Sequence, residues 1–316
     1  MDIVLRPSSF AIPSSSRDVF GREAPLFVEI GVGNGSFIAN LARAHPEVNV
    51  LGVDRAPQSI ARSYRRVRDG DAENIRLIKA DAFFVIGTLL APGAARRVYV
   101  NYPDPWPRRK HRERRLLRRP FFELVRRQLG ADGDLLLTTD HREYFEYALA
   151  QAEGLFHIHF PSPPAEILET KWAKRGAQYH HAVLEPIGPQ NGRAVGGDDT
   201  NFHIQILDEM YHAVLEGELP ELHSFEKQVF KHRHGTTVVL DAYRMLDGDG
   251  MAFLVHVQER HLSQEVIIEA KEGKQGYLVT LKRFGEPMHT RAVGESVRHI
   301  VEWLEAAGMR VVHRKY

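Results

Sequence analysis

Leu26-Phe-Val-Glu-Ile-Gly-Val-Gly-Asn-Gly-Ser36 decides the fold. Leu26 to Ile30 is a short apolar run that predicts a buried β-strand, and glycines follow at once. Phe37-Ile-Ala-Asn-Leu-Ala-Arg43 then carries its apolar residues at helical spacing. Strand, glycine turn and helix open a βαβ unit, in which the turn lets backbone approach a ligand. Working outward, strands are predicted at 49–53, 75–78, 97–100 and 135–138, with helices at 59–67, 82–90, 116–129 and 142–152. Short apolar strands alternating with helices predict an α/β fold, a Rossmann-like parallel sheet with helices on both faces. His157-Ile-His-Phe160 and Tyr179 to Leu184 predict two terminal strands.

The glycine spacing is G-x-G-x-G followed by Ser36, so the third glycine comes one residue too early for the dinucleotide fingerprint. Glu29 stands two residues before the first glycine. A carboxylate there repels a pyrophosphate but suits S-adenosylmethionine, which carries a sulfonium and an amino group. The expected cofactor set is Glu29, Gly31, Gly33 and Gly35, with Asp54 after the second strand to accept from ribose hydroxyls and Asp81-Ala82 after the third, near the adenine. Each acid alone reads more simply as a helix N-cap. Acids ending three successive strands are what a switch-point crevice carries.

Asn101-Tyr-Pro-Asp-Pro-Trp-Pro107 ends the fourth strand, and two prolines fix the backbone around Asp104. Asp104 is the expected catalytic acid, set beside the methyl donor. Residues 106–127 then hold ten Lys and Arg against two acids, a net charge of +8. The bland reading is a solvated basic loop. Next to the expected chemical centre, Arg108, Lys110, His111, Arg114 and Arg115 read instead as a grip on phosphates, with Trp106, Tyr102 or His111 available to stack on a base. Arg62, Arg65, Arg66 and Arg68 add cations on a neighbouring helix. Asp140, after the fifth strand, is a further crevice acid, with a helix cap as the bland alternative.

Residues 25–185 resemble the bacterial tRNA (guanine-N7)-methyltransferases. The resemblance is carried by Glu29-Ile-Gly-Val-Gly-Asn-Gly35, Asp81-Ala82, Pro103-Asp-Pro-Trp-Pro107, Lys110-His111, Arg114-Arg115, Thr139-Asp140 and Thr170-Lys-Trp172. It implies a class I methyltransferase that moves methyl from S-adenosylmethionine to N7 of a guanine in the tRNA variable loop. It also implies that Glu29, Asp54, Asp81 and Asp104 contact cofactor, and that Arg108, Asp140, Thr170, Lys171 and Trp172 lie at the substrate guanosine. Ala173 departs from the family, whose motif ends there in glutamate. The competing readings are a methyltransferase of another RNA and a catalytically weak RNA-binding homologue.

Beyond residue 188 the pattern changes. Residues 189–200 are rich in Gly, Pro and Asp and read as a linker between a methyltransferase domain, 1–188, and a smaller α+β accessory domain, 201–316. In the second domain a helix is expected at about 202–216, strands at 236–245, 251–259, 264–271 and 276–283, and a final helix at 293–306. Charge changes sign with it, from +5 over residues 1–190 to −4 over 191–316. The 316-residue chain has no cysteine, which excludes thiol nucleophiles, disulfides and thiolate metal sites. It has no run long enough to span a membrane and no secretory leader, so a cytoplasmic protein is expected. His157-x-His159 and His232-x-His234 lack a third partner, and no metal is expected.

Overall fold

The computed structural model describes residues 2–9, 11–68, 73–169, 178–188, 204–246 and 250–316. The chain forms two compact units, Met1–His203 and Ile204–Tyr316. The segment expected as a linker, 189–200, lies outside the described residues.

The first unit is built on strands β1 (Val4–Leu5), β2 (Leu26–Ile30), β3 (Asn49–Asp54), β4 (Ile75–Lys79), β5 (Ala95–Asn101), β6 (Leu129–Thr139), β7 (Phe156–His159) and β8 (His180–Pro186). They form one sheet in the order β1-β4-β3-β2-β5-β6-β8-β7. The pairs from β1 to β6 are parallel, and β8 runs antiparallel to β6 and β7. Its helices are α1 (Ser16–Phe20), α2 (Ser36–Ala44), α3 (Pro57–Arg68), α4 (Ala82–Phe84), α5 (Arg119–Gln128), α6 (Arg142–Ala152) and α7 (Ala165–Leu168). The helix expected at 82–90 exists in two parts, because α4 runs on as a π-helical turn over Val85–Leu89. Val28, Leu51, Leu77, Val98 and Leu137 are fully buried in the strands, as a sheet covered on both faces requires. The strand order reverses between β2 and β5, which opens a crevice at their C-terminal ends.

The second unit holds β9 (His212–Glu216), β10 (Gln228–His232), β11 (Gly235–Arg244), β12 (Gly250–Gln258), β13 (Ser263–Gly273), β14 (Gly276–Leu281), the long helix α8 (Arg291–Ala306) and β15 (Arg310–Lys315). Its antiparallel sheet has the order β10-β11-β12-β13-β14-β9-β15. Val293, Val297, Ile300 and Leu304 of α8 share one core with Val239, Phe253, Val255 and Ile268 of the sheet. The helix expected at 202–216 is a misreading: 212–216 is β9, paired on both sides. Leu207, Met210, Tyr211 and Val214 happen to fall at helical spacing. The decisive pattern has period two, with Tyr211, Ala213 and Leu215 buried, while Leu207 and Met210 reach the same core from outside the strand. No helix among the described residues is long and apolar enough to cross a membrane.

Candidate active site

The glycine loop hangs between β2 and α2. Gly31, Gly33 and Gly35 all have positive φ, at 86°, 55° and 74°. Gly35 is fixed twice over, since a Cβ there would meet the Ser63 backbone of α3 at 2.6 Å. At Gly31 and Gly33 a Cβ would meet nothing within 4 Å, so this part of the loop faces open space. The loop is tied down from both sides. Gly31 N–H donates to Val53 O at 2.8 Å, and the Asp54 carboxylate accepts from Gly33 N–H at 3.2 Å and from Ala56 N–H at 2.8 Å. Asp54 thus braces the loop as well as facing the crevice. Asp81 caps α4 through Phe83 N–H at 2.9 Å and lies 3.5 Å from Arg55 Nε. The N-cap role and the crevice position coincide there, with Ala82 buried behind it.

Glu29 is the unusual group. It is 2 % exposed, and its Oε2 is enclosed without a hydrogen-bond partner. Burial, and then the neighbouring Asp54, push its pKa well above the usual carboxylate range. A buried acid of this kind calls for a cation or a donor, and the open space over Gly31 and Gly33 lies immediately beyond it. These residues therefore fit a ligand with an ammonium or sulfonium centre.

Across the switch point, β5 leads into the proline-flanked segment. Tyr102 and Trp106 adopt positive φ, 50° and 42°, which non-glycine residues hold only under constraint from their surroundings. The constraint is visible. Tyr102 N–H donates to Thr138 O at 2.7 Å, and Arg115 Nε donates to Pro105 O at 2.8 Å. Asp104 between them is exposed at the crevice mouth, as is Asp140 after β6.

The basic run divides. Arg108, Lys110 and Arg114 are exposed, His111 is half-buried against Trp106, and the Arg114 guanidinium lies 5.1 Å from the Trp106 ring centre. Arg115 is different: it is only 4 % exposed, against Tyr144 and Tyr147 of α6 at 5.0 and 4.7 Å. The sequence reading put Arg115 on the phosphate grip; the structure encloses it as the brace of the Asp104 segment. The signal that was missed is the Tyr144-x-x-Tyr147 pair, which one helical turn points the same way. Arg62, Arg65, Arg66 and Arg68 of α3 are all exposed. Thr170, Lys171 and Trp172 lie outside the described residues. Among the described residues no group of three His, Asp or Glu side chains is placed to hold a metal.

A family described as "Putative methyltransferase" matches residues 23–178. A tRNA (guanine-N(7)-)-methyltransferase of Thermus thermophilus is 38% identical over 306 residues, covering 95% of each chain. The chain belongs to the tRNA (guanine-N7)-methyltransferase family. A member from Deinococcus radiodurans is 36% identical over 330 residues, 99% of this chain and 100% of the relative, so similarity runs through the second unit. A Bacillus subtilis member is 35% identical over 131 residues, 42% of this chain and 61% of its own length. The methyl donor of this methyltransferase is S-adenosylmethionine, which agrees with the cationic ligand that Glu29 calls for.

Proposed function

We propose that this protein transfers methyl from S-adenosylmethionine to N7 of a guanine in the variable loop of tRNA, in the cytoplasm. The observation that carries the reading is the pairing, across one switch point, of a glycine loop backed by a buried unpartnered acid with a rigid Asp104 segment leading into exposed cations. When bound, S-adenosylmethionine supplies an electrophilic methyl group on a sulfonium. Glu29, Gly31, Gly33, Gly35, Asp54, Asp81 and Ala82 hold the cofactor. Guanine N7 already has a lone pair and no proton, so the site needs no general base at that atom. Placement and charge remain to be supplied. Asp104 faces the positive charge that develops on the purine, and Asp140 accepts from guanine N1–H and N2–H. Arg108, Lys110 and Arg114 meet RNA phosphates, with Thr170, Lys171 and Trp172 at the substrate. The test is to incubate unmodified transcribed tRNA with protein and labelled cofactor and to map the methylated nucleotide. Methyl at guanine N7 of the variable loop is the expected result, and methyl at any other atom refutes it.

A further inference from the structure

The same crevice contains polar groups that the scheme above leaves unused. Asn101 is the last residue of β5, and both atoms of its side-chain amide are enclosed without a hydrogen-bond partner. Its register partner in β6 is Thr138, whose own partner in β8 is His181. Residues opposite one another in a sheet share a face, so the three side chains form one row across three strands spaced about 5 Å apart. Thr138 Oγ1 and His181 Nδ1 confirm the shared face by a hydrogen bond of 2.8 Å. His181 is 7 % exposed, its Nε2 also lacks a partner, and burial pushes its pKa down to about 4, so the ring is neutral. Glu29 lies on this face too, because it pairs with Tyr99, two residues before Asn101. Asn101 therefore stands directly across the switch point from the glycine loop, and the row runs from it away from the cofactor acids toward β8.

An amide buried with neither its donor nor its acceptor paired costs several times the net worth of one hydrogen bond. A cost of that kind is retained where an ordered water or a ligand supplies the partner, and beside the crevice a ligand is at hand. The cofactor acids end β2, β3 and β4, whereas Asn101 sits on the β5 side with Asp104 and Asp140. The ligand group nearest to it is thus the acceptor base. On guanine the acceptor beside N7 is O6, and with N7 turned to the methyl donor and N1–H and N2–H to Asp140, as proposed above, O6 lies between them on the β5 side.

We infer that Asn101 is a specificity-determining residue whose Nδ2–H donates to O6 of the target guanine, with Thr138 and His181 as the polar row that backs it. This inference rests on the proposed function. Asn101 supplies the contact next to the reacting atom and Asp140 the contact on the far edge. Adenine, with a donor in place of O6, fails both. His181 is a positioning residue that acts through Thr138.

The experiment measures methyl transfer by the full chain on two otherwise identical tRNAs, one with guanine at the target position and one with 2-aminopurine. The latter keeps N7 and the 2-amino group but lacks O6 and the N1 proton, so that the effect of each substitution is read within each tRNA. Asn101→Ala is expected to lower kcat/KM on the guanine tRNA by about 10- to 100-fold. On the 2-aminopurine tRNA the same substitution is expected to change little, and cofactor affinity stays at the parent value. Asn101→Asp, nearly isosteric but without the N–H, reproduces the loss and guards against a packing artefact. An equal loss on both tRNAs, a loss of cofactor affinity, or no loss at all overturns the assignment and leaves Asn101 as a group paired by buried water. A parent protein that leaves guanine N7 unmethylated refutes the proposed function itself, and this inference with it.

Discussion

A carboxyl group held at 2 % exposure with an unpaired oxygen, as Glu29 is, takes up a proton more readily than its sequence neighbours. A cationic ligand favours the ionised form, so binding S-adenosylmethionine releases that proton. Affinity is expected to rise with pH up to the raised pKa of the empty site and to level off above it. Calorimetric titration in two buffers of different ionisation enthalpy reads the release directly, and Glu29→Gln should abolish it and weaken binding about tenfold or more. Asp104 contributes later, in the transition state. Asp104→Ala should cut turnover about 100-fold while circular dichroism stays native; near-normal turnover would remove it from the mechanism. The two adjacent arginines separate cleanly. Arg114→Ala, on an exposed side chain, should shrink the slope of log tRNA affinity against log salt by about 0.7–0.9 for the lost phosphate contact. Arg115→Ala should leave that slope alone, lower the melting temperature and slow turnover, because it frees the carbonyl that fixes Pro105.

At the scale of elements, α8 is anchored by a titratable partner. Thr290 caps the helix through Val293 N–H at 3.3 Å and donates its hydroxyl at 2.8 Å to Glu259, which is 5 % exposed. Burial pushes the Glu259 pKa from 4.5 up to about 7. A carboxyl whose pKa is higher folded than unfolded favours the fold fully below about pH 4.5, and that contribution is lost as pH rises through 7. The loss is on the order of 3 kcal/mol. Melting curves between pH 4.5 and 8 should show it, and Glu259→Gln should flatten that pH dependence. Elements with one dominant period were legible in the sequence. β2, β3 and the Leu135–Leu137 stretch of β6 are short apolar-rich runs ended by glycines, threonines or acids, whereas the start of β6, Leu129–Asp134, is polar and glycine-rich and was not legible as strand. β9 was not legible, because apolar residues from the preceding segment complete a helical pattern by accident. Arg115 was not legible either, because a guanidinium in a basic run looks solvated until the tyrosines that enclose it are known. Asn101 was quoted within its motif, but only the register with Thr138 and His181 shows it as part of a row.

For the whole molecule, the chain divides into two compact units. We propose that residues 1–188 are the methyltransferase domain and 201–316 an accessory domain. Every side chain assigned above to cofactor or guanine precedes residue 189, and the match to the Bacillus subtilis relative covers only 42% of this chain. A chain of residues 1–203 should therefore fold, bind S-adenosylmethionine and methylate tRNA, with weaker tRNA binding if the second unit contributes contacts. Calorimetric titration beside the full chain checks this, and a folded fragment that does not bind cofactor would refute the division. Among the described residues the second unit's sheet does not close on itself, and β10 and β15 form its two edges. An open edge is a template onto which any extended strand can add, including the same edge of another copy. Lys231 is exposed on one edge, and Arg310, Arg314 and Lys315 are exposed on the other, where they pair with Glu216, Glu305 and Glu209. Two copies approaching edge to edge must strip water from Lys231 on the β10 edge or from this row of ion pairs on the β15 edge, and burying charge costs free energy that strand pairing has to offset. The fold thus limits its own aggregation through charged side chains on its edges, and their replacement by neutral ones should show first as turbidity on storage, with methyl transfer unchanged.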